Sequence, residues 1–126
     1  MTKAIRIHET GGPEVLRWED VEVGDPGDGE IRVRHTAIGL NYIDTYQRSG
    51  LYPLALPLTL GMEGAGVVEA TGANVSDLKQ GDRVAYASPP PGSYSEARII
   101  GADRVARYPF GGEIDQGIVE PDLPDL

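Results

Sequence analysis

Four polar or amphipathic side chains from consecutive segments form one candidate patch for chemistry: Asn41, Tyr46, Tyr52 and Glu63. A tyrosine offers a flat apolar ring with a hydroxyl at its edge, which suits contact with a planar ligand. Asn41 adds an amide, and Glu63 adds a carboxylate flanked by small residues. The residue types indicate a small planar ligand. They leave open that the tyrosines only fill the core and that Asn41 only caps a helix.

Other kinds of site find little support in the motifs. The stretch GMEGAG at 61–66 reads G-x-x-G-x-G and precedes a strand, whereas a dinucleotide fingerprint follows a strand and opens a helix. The sequence contains no G-K-[ST] and no G-x-S-x-G. It has no cysteine, and its two histidines, His8 and His35, are far apart, so no zinc-ligand spacing is present. We interpret His35 as a structural or surface residue.

The candidate patch requires strands to position it. The segment 61–72 predicts a strand entered through a glycine-permitted turn, with a pocket near its entrance. Turn residues recur about every ten positions, which favours a β-barrel or sandwich. Further strands are predicted at 3–8, 18–23, 30–38, 82–87, 93–100 and 103–107.

One short helix is predicted at 41–49. Asn41 is a good N-cap residue, and Asp44 stands three positions later, as the acid of a capping box does. Gly50 suits the C-terminal stop. Tyr42 and Tyr46 are four residues apart and therefore share a face of this helix.

Length and charge bound the class of protein. The 126 residues suit one domain with a modest core. The net charge of −9 includes five acids and no Lys or Arg in residues 109–126, so nucleic acid is not an expected partner. No apolar run of about 18 residues occurs, so we expect no membrane span and a cytoplasmic location.

Four stretches resemble the N-terminal GroES-like catalytic domain of the medium-chain dehydrogenase/reductase superfamily, and within it the zeta-crystallin-like, NADPH-dependent quinone oxidoreductases. They are HETGGPEVLRWEDV (8–21), AIGLNYIDTYQRSGLYP (37–53), GMEGAGVVEATGANVSDLKQGDRVAYA (61–87) and SYSEARIIGADRVARYP (93–109). The resemblance implies a mostly β fold: a partly open antiparallel barrel with a short helix over residues 1–109. The acidic, Pro- and Gly-containing segment 110–126 would be a tail or would close the barrel.

The resemblance also implies hydride transfer from NADPH to a quinone or an activated alkene, without a metal. Asn41 and Met62 stand where zinc-dependent relatives carry a zinc-binding cysteine and histidine. Asn41 would lie near the nicotinamide. Asp44 and Arg48 would belong to the cofactor side of the site, as contacts or as structural supports.

The same resemblance assigns the substrate side. Tyr46 and Tyr52 would line the quinone pocket and act with Asn41 as the catalytic residues. Met62 and Glu63 would support the site.

The chain departs from this family in one large respect. The family continues after the motif at 102–109 into a nucleotide-binding Rossmann domain, and this sequence has none. Two hypotheses follow: a catalytic domain that is inactive or weak alone, or a stand-alone barrel with a binding or structural role. A barrel without its returning strands would expose an edge, so we also expect self-association into a homo-oligomer.

Overall fold

A computed structural model describes residues 2–107, which form a mostly β fold with one α-helix, α1 (Tyr42–Ser49). Short 3-10 turns lie at Pro13–Val15 and Ala102–Arg104. The strands are β1 (Thr2–Ile7), β2 (Arg17–Val21), β3 (Glu30–Gly39), β4 (Leu58–Thr59), β5 (Glu63–Thr71), β6 (Arg83–Ala87), β7 (Ala97–Gly101) and β8 (Ala106–Arg107). No helix within residues 2–107 is long and apolar enough to cross a membrane.

The strands form two antiparallel sheets, with orders β2-β1-β4 and β7-β3-β5-β6-β8. The sheets are joined where β1 runs beside the segment before β7. Ala4 bridges Ser95 there, and the Ile5 N–H donates to the Tyr94 carbonyl at 2.8 Å. The predicted mostly β, partly open barrel with one short helix is therefore confirmed.

Alternating apolar residues fill the barrel from both sheets, because successive strand side chains point to opposite faces. The larger buried cluster consists of Ile31, Val33, Val68, Leu78, Val84, Tyr86 and Ile100. The second consists of Ile7, Val15, Leu60 and Tyr94.

The longest pairing, β3 with β5, carries two irregularities that bend it. The register shifts between Arg32 and Val33 and again between His35 and Ala37. Such bulges increase the local twist, which helps a sheet to curl. The pairing ends with Gly39 opposite Glu63, so the start of β5 lies at the rim of this sheet.

Two strand predictions near the end of the described chain were wrong in extent. The strand predicted at 93–100 begins only at Ala97, because the backbone of 93–96 bonds to other partners: the Tyr94 N–H donates to the Leu60 carbonyl and the Glu96 N–H to the Lys3 carbonyl. The strand predicted at 103–107 begins with a 3-10 turn and is reduced to β8. The expectations for 110–126 lie outside the described residues.

Candidate active site

Helix α1 is built with polar residues inside and tyrosines outside. Asp44 is 2% exposed and Gln47 is also buried, whereas Tyr42 is 83% exposed and Tyr46 is 39% exposed. Buried polar groups and exposed large apolar groups are the informative departures from normal burial. The alternative in which these tyrosines fill the core is therefore wrong.

Asp44 is buried because neighbours satisfy one of its oxygens. Its Oδ2 accepts from the Tyr94 hydroxyl at 2.7 Å and from the Asn41 N–H at 3.0 Å, the second bond being the return bond of the predicted capping box. Burial, reinforced by this carboxylate, raises the pKa of Tyr94. Asp44 thus ties the start of α1 to the second core cluster.

The C-terminal end of α1 is fixed in the same way. Arg48 Nε donates to the Gly11 carbonyl at 3.1 Å, and the Gly11 N–H donates to the Arg48 carbonyl at 3.0 Å. Gly50 ends the helix in the left-handed region at φ 91°, which glycine adopts without steric cost. Asp44 and Arg48, predicted for the cofactor side of the site, therefore bond to groups of the barrel itself.

Asn41 and Glu63 meet at the rim of the sheet. Asn41 Nδ2 donates to Glu63 Oε1 at 2.9 Å. The Glu63 carboxylate also occupies the space that a Cβ at Gly39 would need, so a larger residue there would displace this carboxylate. The bond to Glu63 fixes the orientation of the Asn41 amide, which is exposed and directly precedes α1.

Tyr46 and Tyr52 form an edge-to-face pair, with ring centroids 5.6 Å apart and planes at 83°. The Tyr52 N–H donates to the Tyr46 carbonyl at 3.2 Å, which ties the segment after α1 to the helix. Both rings remain exposed, Tyr52 by 52%. Exposed large apolar residues flank the pair in sequence: Ile38, Leu40, Leu51, Leu54 and Leu56. These residues and the tyrosine pair form a candidate contact surface, because contiguous exposed apolar patches are typical of sites that contact another molecule or domain.

An open cleft of about 410 Å³ lies beside this surface, at the ends of β3, β5 and β6. Among the predicted site residues, Glu63 lines it directly, and Asn41 is joined to it through the Glu63 carboxylate. Tyr46 and Tyr52 are not part of its lining. The structure therefore brings Asn41 together with Glu63, and Tyr46 together with Tyr52.

Met62 lies next to the buried face of α1. Its Sδ accepts from Gln47 Nε2 at 3.9 Å, so the residue predicted to support the site does contact the helix. Within residues 2–107, no group of three or more His, Cys, Asp or Glu side chains is arranged to hold a metal ion.

The prediction missed a polar cluster behind the cleft. His35 Nε2 lies 2.7 Å from the Tyr86 hydroxyl, and Arg98 Nη1 donates to the same hydroxyl at 3.4 Å. Burial lowers the pKa of His35 and raises that of Tyr86. The alternation of β3 was the available signal, because His35 lies two residues after buried Val33 and so points into the barrel.

Comparison with known proteins identifies the class that this fold and site define. Residues 27–117 match the alcohol dehydrogenase GroES-like domain, and the chain belongs to that family. The predicted resemblance is thereby confirmed.

Within the family, the chain is similar to quinone oxidoreductases. It is 51% identical to the quinone oxidoreductase of Pseudomonas aeruginosa over 117 residues, covering 92% of this chain and 36% of that protein. It is 43% identical to a 2-haloacrylate reductase of a Burkholderia species, covering 91% of this chain and 36% of that protein.

A solved structure agrees with these sequence relatives. The Escherichia coli quinone oxidoreductase complexed with NADPH superposes with a TM-score of 0.84 at 47% identity, over 88% of this chain and 34% of that one. The chain thus spans about a third of the length of the relatives that it matches.

Proposed function

We propose that this chain is the substrate-side domain of an NADPH-dependent, metal-independent quinone reductase. The observation that carries the proposal is the exposed pair of Tyr46, on α1, and Tyr52, in the segment after it, with α1 itself anchored by Asp44 and Arg48. Two rings at a right angle give one face and one edge for a flat ligand. A quinone is such a ligand, and quinone oxidoreductases are among the relatives.

Asn41 is the residue proposed to act at the cofactor. The groups of the site are an amide held by a carboxylate and a pair of exposed aromatic rings, and both kinds of group suit contact with the planar, amide-bearing nicotinamide ring. NADPH, when bound, supplies the hydride. Asn41 would orient that ring, Glu63 would hold the Asn41 amide, and the tyrosines would exclude water from the face of the quinone. Positioning of this kind is a large part of catalysis in hydride transfer.

Residues 2–107 contain no strand–helix–strand unit of the type that binds dinucleotide pyrophosphates. The pyrophosphate would therefore have to be held outside these residues. For the chain as printed, we expect quinone binding with weak NADPH oxidation or none. Asp44 and Arg48 would act through the position of α1 and not by contact with NADPH, since their bonds run to Tyr94, Asn41 and Gly11.

Activated alkenes are a second candidate substrate class. The specific observation is the relative from Burkholderia, which is named a 2-haloacrylate reductase. An alkene conjugated to a carbonyl or carboxylate accepts a hydride at carbon, as a quinone does, and presents a similar flat outline. If the barrel has a non-catalytic binding role instead, the same exposed tyrosines should bind the ligand, but NADPH should not be oxidised.

A titration with 1,4-naphthoquinone and with 2-chloroacrylate, followed by tyrosine and tryptophan fluorescence, tests the proposal. Tyr46→Ala and Tyr52→Ala should each weaken quinone binding about three- to tenfold, since each removes one ring face or edge. Tyr42→Ala is the matched control, because Tyr42 is an exposed tyrosine of the same helix outside the proposed pair. Equal losses in all three variants, or in none, would contradict the proposed site.

Quinone-dependent NADPH oxidation separates the enzymatic from the binding role. Any turnover should disappear in Asn41→Ala while naphthoquinone still binds. Turnover that survives Asn41→Ala unchanged would remove Asn41 from the catalytic residues.

A further inference from the structure

Three polar side chains form a hydrogen-bonded series behind the cleft, and the proposed reaction does not use them. Arg98 comes from β7, Tyr86 from β6 and His35 from β3. Arg98 is 8% exposed, and its guanidinium carbon lies 5.2 Å from the centre of the Tyr86 ring. Arg98 Nη2 also donates to the Pro90 carbonyl at 3.0 Å. Three strands therefore contribute to one buried polar cluster.

The donor and acceptor chemistry of each group determines the direction of every hydrogen bond in this series. His35 Nδ1 lies 2.8 Å from the Ser95 carbonyl, which can only accept, so Nδ1 carries the proton. In a neutral imidazole the other nitrogen, Nε2, is then an acceptor, and the Tyr86 hydroxyl donates to it at 2.7 Å. A guanidinium can only donate, so Arg98 donates to the Tyr86 oxygen. Each residue therefore donates a hydrogen bond to the next in the order Arg98, Tyr86, His35, Ser95.

Gly64 connects this series to the cleft. Gly64 and Tyr86 both line the cleft, and a Cβ at Gly64 would lie 2.9 Å from both the Tyr86 hydroxyl and His35 Cδ2. Such distances are too short for a side chain at this position. The His35–Tyr86 contact thus lies directly against the backbone of β5 at the cleft.

We propose that His35 is a positioning residue for the cleft: its unprotonated Nε2 holds the Tyr86 phenol against Gly64, and protonation of the ring releases it. The proposal deepens the proposed function and rests on it only in taking the planar ligand at the Tyr46–Tyr52 pair to extend into the adjoining cleft. A protonated Nε2 has no lone pair for the Tyr86 hydroxyl. The hydroxyl would then have to turn its hydrogen away and accept from both the imidazolium and the Arg98 guanidinium. Repulsion between these two cations at one oxygen would displace the phenol, and the cleft wall would change with it.

The surroundings of His35 favour the neutral ring. Burial lowers its pKa from 6.5; the Ser95 bond opposes this shift, and the charge of Arg98 adds to it. The Glu96 carboxylate accepts from the Lys3 N–H at 2.8 Å, so it is directed to β1. The titratable and charged groups that face the ring or share its concavity are Tyr86 from β6, Arg98 from β7, and Tyr94 and Glu96 from the segment before β7.

Two substitutions separate the two bonds of the imidazole. In His35→Gln, the amide oxygen can accept from Tyr86 where Nε2 does, and it does not titrate. In His35→Asn, the shorter amide can reach only the Ser95 carbonyl, so the Tyr86 bond is lost. His8→Gln is the matched control: His8 is the other histidine of the chain, and its Nε2 lies 2.6 Å from Glu19 Oε1 on the surface.

The first measurement needs no ligand. Nitrogen-15 NMR should show His35 as the Nδ1–H tautomer with a pKa below 6.5, while the amide signals of Gly39, Gly64 and Ala87 shift as the pH falls from 8 to 5. At neutral pH, His35→Asn should move these amides in the same direction. His35→Gln should leave them near wild type and independent of pH. An Nε2–H tautomer, a pKa of 6.5 or above, or unmoved amides in His35→Asn would overturn the proposal.

The second measurement is the affinity for 1,4-naphthoquinone over the same pH range. His35→Asn should bind roughly three- to tenfold more weakly at neutral pH, the equivalent of one lost hydrogen bond. Wild type and His8→Gln should weaken by a similar factor on acidification, and His35→Gln should not. If wild type binds no quinone, the proposed function fails, and the amide signals still decide the role of His35.

Discussion

The Asp44–Tyr94 hydrogen bond should be a major determinant of where α1 lies, and a double-mutant cycle measures its strength. The bond is 2.7 Å long, joins residues 50 apart in sequence, and is buried. A hydrogen bond to a charged group contributes about 1.5–3 kcal/mol, so Tyr94→Phe should lower the free energy of unfolding by that amount. Asp44→Ala also removes the bond from the Asn41 N–H, so its cost should be about 3–5 kcal/mol.

The informative quantity is the coupling between the two substitutions. Once Asp44 is gone, the Tyr94 hydroxyl has already lost its carboxylate, so Tyr94→Phe should cost little more. The coupling free energy should therefore be about 1.5–3 kcal/mol. Urea unfolding followed by circular dichroism provides it for wild type, both single variants and the double variant.

Two further variants serve as controls for this cycle. Asp44→Asn keeps an acceptor for Tyr94 and should be milder than Asp44→Ala. Asp77 is an exposed acid of the loop after β5, so Asp77→Ala is the control and should change the free energy of unfolding by no more than about 0.5 kcal/mol. A coupling below about 0.5 kcal/mol would refute the reasoning, because the bond would then not hold α1 to the barrel.

Three other predictions concern stability. Gly61→Ala should lower the free energy of unfolding in urea by about 1–3 kcal/mol more than Gly81→Ala does. Both glycines have φ near +100°, so the backbone strain is similar. A Cβ at Gly61 would contact Ser93 and lie 2.9 Å from the Tyr94 nitrogen, whereas nothing lies within 4 Å of a Cβ at Gly81. Because the folded state lowers the pKa of His35, stability should fall as the pH drops below 6.5 and level off once the native ring is protonated; His35→Gln should remove that component. Because the folded state raises the pKa of Tyr94, stability should fall as the pH rises above 10, and less steeply in Tyr94→Phe, both followed by thermal melts.

The helix could be predicted because its signals are local. Asn41 and Gly50 are the caps of one eight-residue helix, Asp44 completes the capping box at its third position, and each acts on backbone groups within a few residues. The alternation of β3 likewise depends on neighbouring residues, and its predicted and observed ranges differ only by Gly39 at the end.

The partners of the site could not be predicted, because they are distant in sequence. Nothing near Asp44 indicates that Tyr94 will satisfy it, and nothing near His35 indicates Tyr86. The segment 93–96 looked like an ordinary strand, yet it joins the two sheets through bonds to Leu60 and Lys3. Tertiary pairing decided these features, and local sequence preference is only a weak guide to it.

The central claim is that the exposed tyrosine pair and the Asn41 amide form the substrate side of a quinone site. The most direct measurement is an NMR titration of the chain with 1,4-naphthoquinone, comparing wild type with Tyr52→Ala. We predict saturable shifts at Asn41, Tyr46 and Tyr52 and around Glu63, which become several-fold weaker in Tyr52→Ala. Saturable shifts confined to other parts of the barrel, or an affinity unchanged by Tyr52→Ala, would contradict the claim.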